Sequence, residues 1–236
     1  MKFENLIAGE FVWRDSRFTA AVRIDGELTH AHITNSGRLP GLLSPGSQVW
    51  LSNTGHPKRR TKYDIKLVDI DGELVSIDAR LPNPLFEEAV KEGRLEAFNF
   101  TSIKREVKFG KSRIDFQLTH EEDEFWVETK SVTLVENGIA RFPDAPTKRG
   151  SRHLQELRKL VDLGHQAGVV FIIQRSDAKE FQPNWAIDPE FSRTLEFVTS
   201  KQVIIRGYLC DVSLDSIRIK REINCNLMMT SENFHV

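Results

Sequence analysis

The chain has 236 residues, of which 39% are hydrophobic and 28% charged, and its formal net charge is −1. Those proportions exclude a disordered chain and call for one large or two small folded domains, while the near-neutral balance excludes a global pull on nucleic acid and leaves any such binding to local basic patches. Two cysteines without CxxC spacing, Cys210 and Cys225, exclude a disulfide framework and a structural zinc site, and the absence of any run near the ~20 apolar residues of a membrane span points to a cytoplasmic protein without membrane contact.

Residues 1–80 read as short strands. Alternating runs over 10–14, 18–24 and 28–34 are separated by turn residues at Asp15-Ser16 and Asp25-Gly26. A loop rich in glycine and proline follows over 35–46. Strands resume over 49–52, 63–70 and 73–77, the last two around Asp71-Gly72. About five strands with a break after the third fit a small closed barrel of the OB kind. The loop before the fifth strand holds Lys58, Arg59, Arg60 and Lys62. Such a run is either a solvated surface or an arm that contacts phosphates, and Arg14, Arg17 and Arg38 extend it. His30 and His32 share a strand face but have no third metal ligand nearby.

Leu81-Pro82-Asn83-Pro84 is the expected junction. Proline stops regular structure before it and suits the first turn of a helix after it. A helix is expected over 84–92 with Asn83 as its N-cap, and residues 81–236 form the second domain. A strand over 103–109 follows. Lys104, Arg105, Lys108, Lys111 and Arg113 make a second basic cluster around it. A helix over 147–163 places Arg149 and His153 one turn apart, facing either phosphates or water. The apolar run over 167–174 reads as a central strand covered on both faces. A helix over 191–200, a strand over 202–209 and a charged edge strand over 217–223 complete an α/β sheet of mixed direction.

Between them, residues 112–118 and 124–131 form a hairpin about the polar turn His120-Glu121-Glu122-Asp123. Alternation puts Arg113, Asp115 and Gln117 on one face of its first strand, with Ile114, Phe116 and Leu118 on the other. Trp126, Glu128 and Lys130 share a face of the second. In that register Asp115, Glu128 and Lys130 converge. Two carboxylates beside an amine suit a hard divalent cation and an activated water. By spacing alone, an ordinary salt-bridged sheet face has the same pattern.

The segments Ser112-Arg113-Ile114-Asp115-Phe116, Val127-Glu128-Thr129-Lys130-Ser131 and Arg141-Phe142-Pro143-Asp144-Ala145-Pro146, with Asn35-Ser36-Gly37-Arg38 and Pro45-Gly46, resemble the sugar fermentation stimulation protein A family over nearly the whole chain. The resemblance implies an OB-like DNA-binding barrel ahead of a PD-(D/E)xK nuclease-like domain. It implies Asp115, Glu128 and Lys130 as catalytic residues. Mg2+ or Mn2+ would be held by Asp115, Glu128 and the Thr129 carbonyl, with Glu88 as an added helix acid. Ile114 stands where the motif has proline. DNA would be contacted by Arg14, Arg17, Asn35, Arg38, Lys58, Arg59, Lys62, Lys104, Lys108, Lys111, Arg113 and Arg149. The partner is DNA, with a homodimer among the open oligomeric states. The alternative function is a regulator of sugar metabolism that binds DNA without cutting it.

Overall fold

The computed structural model describes residues 1–55 and 59–229. Six strands come first: β1 (Leu6–Ser16), β2 (Thr19–Ile24), β3 (Glu27–Ile33), β4 (Gln48–Asn53), β5 (Tyr63–Ile70) and β6 (Glu73–Ser76). Asp25-Gly26 and Asp71-Gly72 both take positive φ, which lets them reverse the chain in two residues. The strand order is β3-β2-β1-β4-β5-β6, and a parallel β3–β5 pairing closes the first five into a barrel. Phe11, Val22, Ile33, Leu51 and Ile65 fill it, and Leu39 and Leu42 from the 35–46 loop add to the same core. Closure removes the free edges that so small a sheet would otherwise expose.

Helix α1 (Pro82–Lys91) leads into β7 (Ser102–Phe109), β8 (Ser112–His120), β9 (Asp123–Val132), β10 (Leu134–Glu136) and β11 (Ile139–Phe142). Helix α2 (Lys148–Asp162), β12 (Gln166–Ile173), β13 (Glu180–Pro183), α3 (Pro189–Thr199), β14 (Ile204–Val212) and β15 (Ile217–Cys225) follow. The nine strands form one mixed sheet, ordered β10-β11-β13-β15-β14-β12-β9-β8-β7. β12 runs parallel to both β9 and β14 and is buried on both faces, as its unbroken apolar sequence requires. Val169, Phe171 and Ile173 pack with α2 and α3, while Val170 and Ile172 pack with α1.

Two expectations are corrected, the start of α1 and the place of the first residues, and one on β15 holds. Helix α1 starts at Pro82, its N-cap is Leu81 without a side-chain cap, and Asn83 lies inside the first turn. The edge expected over 217–223 is present: β14 pairs with that stretch on one side, while β13 pairs with β15 only at Asn224 and Cys225. The first residues, expected in the barrel domain, pack on the second sheet: Lys2 bridges Ser216, and Met1 and Phe3 join the α1 core. The short strands β10, β11 and β13 carry no alternating pattern long enough to read.

The barrel is tied to the sheet beside β9. The Ser76 amide donates to the Gln174 carbonyl at 2.9 Å, and Gln174 Nε2 reaches Ser131 Oγ at 2.8 Å. On the loop side, the Leu39 amide donates to Asp144 Oδ2 at 3.2 Å. Among the described residues, no helix is long and apolar enough to cross a membrane.

Candidate functional site

The β7–β8 hairpin turns over at one cross-strand pair. Ile103, Phe116 and Leu118 face the α1 core, whereas Val107, Phe109 and Ile114 face the α2 core. Residues separated by even spacing on one strand should share a face, so the ribbon flips between them. The flip falls at Glu106 and Asp115, which the register places opposite each other, and Glu106 takes φ +55. The expectation of strict alternation through Asp115 therefore fails.

The β8–β9 ladder ends at Phe116↔Val127, and beyond it β8 leaves β9. Asp115 replaces the missing rung. Its Oδ2 accepts from the Thr129 amide at 2.8 Å and the Thr129 hydroxyl at 3.1 Å. Its Oδ1 accepts from Asn83 Nδ2 at 3.0 Å, and Asn83 Oδ1 in turn accepts from the Thr129 hydroxyl. Within a strand, the amide and carbonyl of one residue point to the same neighbour, so the Thr129 carbonyl also faces the gap that β8 vacates.

Glu128 points to the opposite side, toward α2. It is 3% exposed, and its Oε1 accepts from Lys130 Nζ and meets His153 Nδ1. Oε2 is buried and has no hydrogen-bond partner among the described residues. Burial alone would raise the Glu128 pKa, but the charge of Lys130 and the hydrogen bond and charge of His153 outweigh it and bring it down to about 2. Arg149 Nε lies 3.4 Å from His153 Nε2, so Arg149, His153, Glu128 and Lys130 form a continuous row. The helix carrying this row is fixed at its start. Thr147 Oγ1 caps it by accepting from the Gly150 amide at 3.0 Å, and Asp188, the N-cap of α3, accepts from the Thr147 amide at 2.7 Å.

The structure thus joins Glu128 to Lys130 and Asp115 to Thr129, and the two groups hang from consecutive residues of β9. Among the described residues no hydrogen bond or ion pair links Asp115 to Glu128 or Lys130, so of the expected convergence the contacts show the Glu128–Lys130 part. Asp115 is held from the α1 side and Glu128 from the α2 side. Glu88 stands apart: its Oε2 receives the Met1 ammonium at 3.1 Å and lies 3.6 Å from Arg94. A cleft of about 250 Å3 opens between Arg17 and Ser36 of the barrel and Ser131, Thr133, Asp144 and Thr147 of the sheet domain.

The expected DNA contacts divide. Arg14 is occupied internally, its guanidinium donating to the carbonyls of Ser16, Arg17, Gly37 and Arg38 at 2.6–3.2 Å. Burial lowers its pKa, against the raising effect of Asp144. Asn35 is a turn residue, accepting from the Gly37 amide at 2.7 Å and donating to the Ile77 carbonyl at 3.0 Å. Arg59 pairs with buried Asp64 at 2.7 Å. These three are part-exposed and already hold hydrogen bonds within the protein. Lys58 lies outside the described residues. Arg38, Lys62, Lys104, Lys108, Lys111 and Arg113 are exposed and carry no side-chain partner among the described residues. Arg17 donates to the Ser36 carbonyl at 3.0 Å and Arg149 backs His153; both remain exposed.

Sequence reasoning misses Asn83 as a site residue. Its signal is the preceding proline: Pro82 starts the helix, which frees the Asn83 side chain from capping. His153 stays undecided from sequence, because helical spacing does not reveal which face of α2 lies on Glu128.

These observations define a two-domain protein, an OB barrel docked on a mixed α/β sheet whose central strands carry a buried charged cluster. Residues 12–77 match the model described as SfsA N-terminal OB domain, and residues 80–216 match that of the sugar fermentation stimulation protein RE domain. The chain belongs to the sugar fermentation stimulation protein family. It is 44% identical over 224 residues to the homologue from Desulforamulus reducens, covering 94% of this chain and 93% of that one. It is 40% identical to the homologue from Clostridium tetani, covering 93% and 96%. Among solved structures it is similar to SfsA of Pyrococcus furiosus, described in complex with Ca2+, with 31% identity, a TM-score of 0.89 and coverage of 96% and 98%.

Proposed function

We propose that this protein binds DNA and hydrolyses its phosphodiester backbone at a PD-(D/E)xK-like site built on Asp115, Glu128 and Lys130. The observation that carries the reading is the Glu128 carboxylate, buried with one oxygen met by both Lys130 Nζ and His153 Nδ1 and the other without a hydrogen-bond partner among the described residues. A buried oxygen left unpaired is costly and marks the place of a missing partner. The donor set of this proposal is the Asp115 and Glu128 carboxylates with the Thr129 carbonyl; among the described residues no group of three or more His, Cys, Asp or Glu side chains gathers to offer another. That all-oxygen set fits Mg2+ or Mn2+, hard ions that keep several waters. The archaeal relative described with Ca2+, also a hard ion, supports the same preference.

An ion held there supplies a water of lowered pKa and polarises the phosphate. The rest falls to the chain. Asn83 and Thr129 fix Asp115. His153, backed by Arg149, holds Oε1 of Glu128 and leaves Oε2 free. Lys130, whose ammonium meets Glu128 Oε1, would orient the attacking water or stabilise the charge that develops on the phosphate. Arg38, Lys62, Lys104, Lys108, Lys111 and Arg113 hold the backbone without reading sequence.

One observation favours a second reading, a regulator that binds DNA without cleavage: the Lys130 ammonium and the His153 ring already occupy Oε1 of Glu128. The test is incubation of the purified protein with plasmid and single-stranded DNA in Mg2+, in Mn2+ and in EDTA. Metal-dependent cleavage that disappears in both Asp115→Ala and Lys130→Ala supports hydrolysis. Cleavage that persists unchanged in both variants assigns it to a contaminant, and binding without cleavage in either metal leaves the regulator.

A further inference from the structure

The barrel exposes aromatic rings on the outer face of β1–β3. Trp13 is 45% exposed and Phe18 44%. Single exposed rings are ordinary, but these belong to one cross-strand array. Trp13 pairs with Ala21, and Ala21 with His30. Ala20 and Val22 point into the barrel, so Ala21 points outward; it is nevertheless fully buried, because the flanking side chains of Trp13 and His30 cover it. In the next row Thr19 pairs with His32, and the His32 ring stacks on Phe18 with centroids 6.1 Å apart. Asp15 orients the first row, accepting from Trp13 Nε1 and lying 2.9 Å from His30 Nε2.

Cations flank the rings. Arg17 lies over Phe18, its Cζ 5.6 Å from the ring centroid. Arg60 lines a cleft of about 370 Å3 together with Thr19 and His30. Arg17 also lines the cleft between the barrel and the sheet domain, whose far wall includes Ser131 and Thr133 at the end of β9.

We propose that this face is a stacking platform for single-stranded nucleic acid, on which Trp13 and Phe18 each take an unpaired base while Arg17 and Arg60 meet the backbone. The platform rests on the DNA-binding reading and names its substrate class. Aromatic rings offer a base a π-face that is available only when the base is unstacked, and a duplex withholds it. Rings interleaved with guanidinium groups fit a polyanion of flat bases better than an apolar protein partner. A strand leaving Phe18 past Arg17 enters the cleft lined by Ser36 and Ser131.

The test is fluorescence-anisotropy titration of the full chain with oligo(dT) and with a duplex of equal length, at one salt concentration in EDTA. Phe18→Leu and Trp13→Leu should each weaken oligo(dT) binding by about 5- to 100-fold, with duplex binding changed less than about two-fold. Phe18→Tyr should restore binding, since the ring and not its identity matters, and unchanged circular dichroism establishes that each variant is folded. Oligo(dT) binding unaffected by both leucine variants overturns the platform. Wild-type protein that binds duplex but not oligo(dT) overturns the platform and leaves DNA binding intact. Protein that binds neither overturns both.

Discussion

Asp115 and Thr129 are joined twice, through the Thr129 amide at 2.8 Å and its hydroxyl at 3.1 Å, both to the same carboxylate oxygen. A side chain thereby continues a ladder that the departing strand has abandoned. Asn83 completes the arrangement from α1. Thr129→Val removes the hydroxyl from both partners, and Asn83→Ala removes the helix anchor. Each should cost about 1–3 kcal/mol. The double variant should lose less than the sum, with a coupling of about 0.5–3 kcal/mol. Urea unfolding of the four proteins measures it, and strict additivity would show that the three side chains do not act as one network.

His153 is the buried member of the row that holds Glu128. His153→Ala leaves Glu128 with Lys130 alone, and should destabilise the protein by about 2–4 kcal/mol, as expected when a buried charge loses a partner. Arg149→Ala, on the exposed end of the same row, should cost less than about 1 kcal/mol. Thermal or urea midpoints that rank the two variants in the reverse order would contradict the burial argument.

Salt dependence separates the basic residues. Lys104, Lys108, Lys111 and Arg113 lie exposed on one hairpin without partners. Replacing all four with alanine should flatten the plot of log K against log salt by up to ~0.9 for each phosphate no longer neutralised. Arg14→Ala should leave that slope unchanged and instead lower stability by about 1–3 kcal/mol, because it deprives the carbonyls of Arg17, Gly37 and Arg38 of their donor. Binding isotherms at four salt concentrations decide between these outcomes.

The acid limb of the stability profile should carry the signature of Asp78. Its carboxylate accepts from Lys66 at 2.8 Å and from Arg80 at 2.7 Å, and it is 1% exposed. Burial would raise its pKa, but Arg80 and Lys66 more than compensate and hold it below the ordinary value. A depressed folded pKa contributes stability above the unfolded value of ~3.9, and that contribution is lost as pH falls from there toward the folded value. Asp78→Asn should cost about 3 kcal/mol at neutral pH and lose part of the acid slope. Urea titrations from about pH 5 to about pH 2.5 test this, and parallel profiles for the two proteins would exclude the role.

Much of the barrel is legible in the sequence because its turns announce themselves: Asp25-Gly26 and Asp71-Gly72 permit few alternatives, and the strands between them alternate cleanly. The buried strand β12 is equally plain from its apolar run. The pairing of Glu128 with Lys130 follows from period two on one strand. What alternation cannot carry is a change of face, and the left-handed Glu106, a residue type with no preference for that conformation, gives no warning of it. Nor does helix periodicity say which partner a polar residue will meet, so Asn83 reads as a cap and Arg14 as a phosphate contact. Both resolve only when α1 and the 35–46 loop are seen packed against their neighbours.

The change of face at Asp115 bears on how the chain acquires its structure. Ile114 and Phe116 are two positions apart yet belong to different cores, one closed by α2 and the other by α1. Conservative truncations at these near-neighbours report on separate stages of assembly, so a pair of kinetic measurements on adjacent side chains can establish which layer of the molecule condenses first.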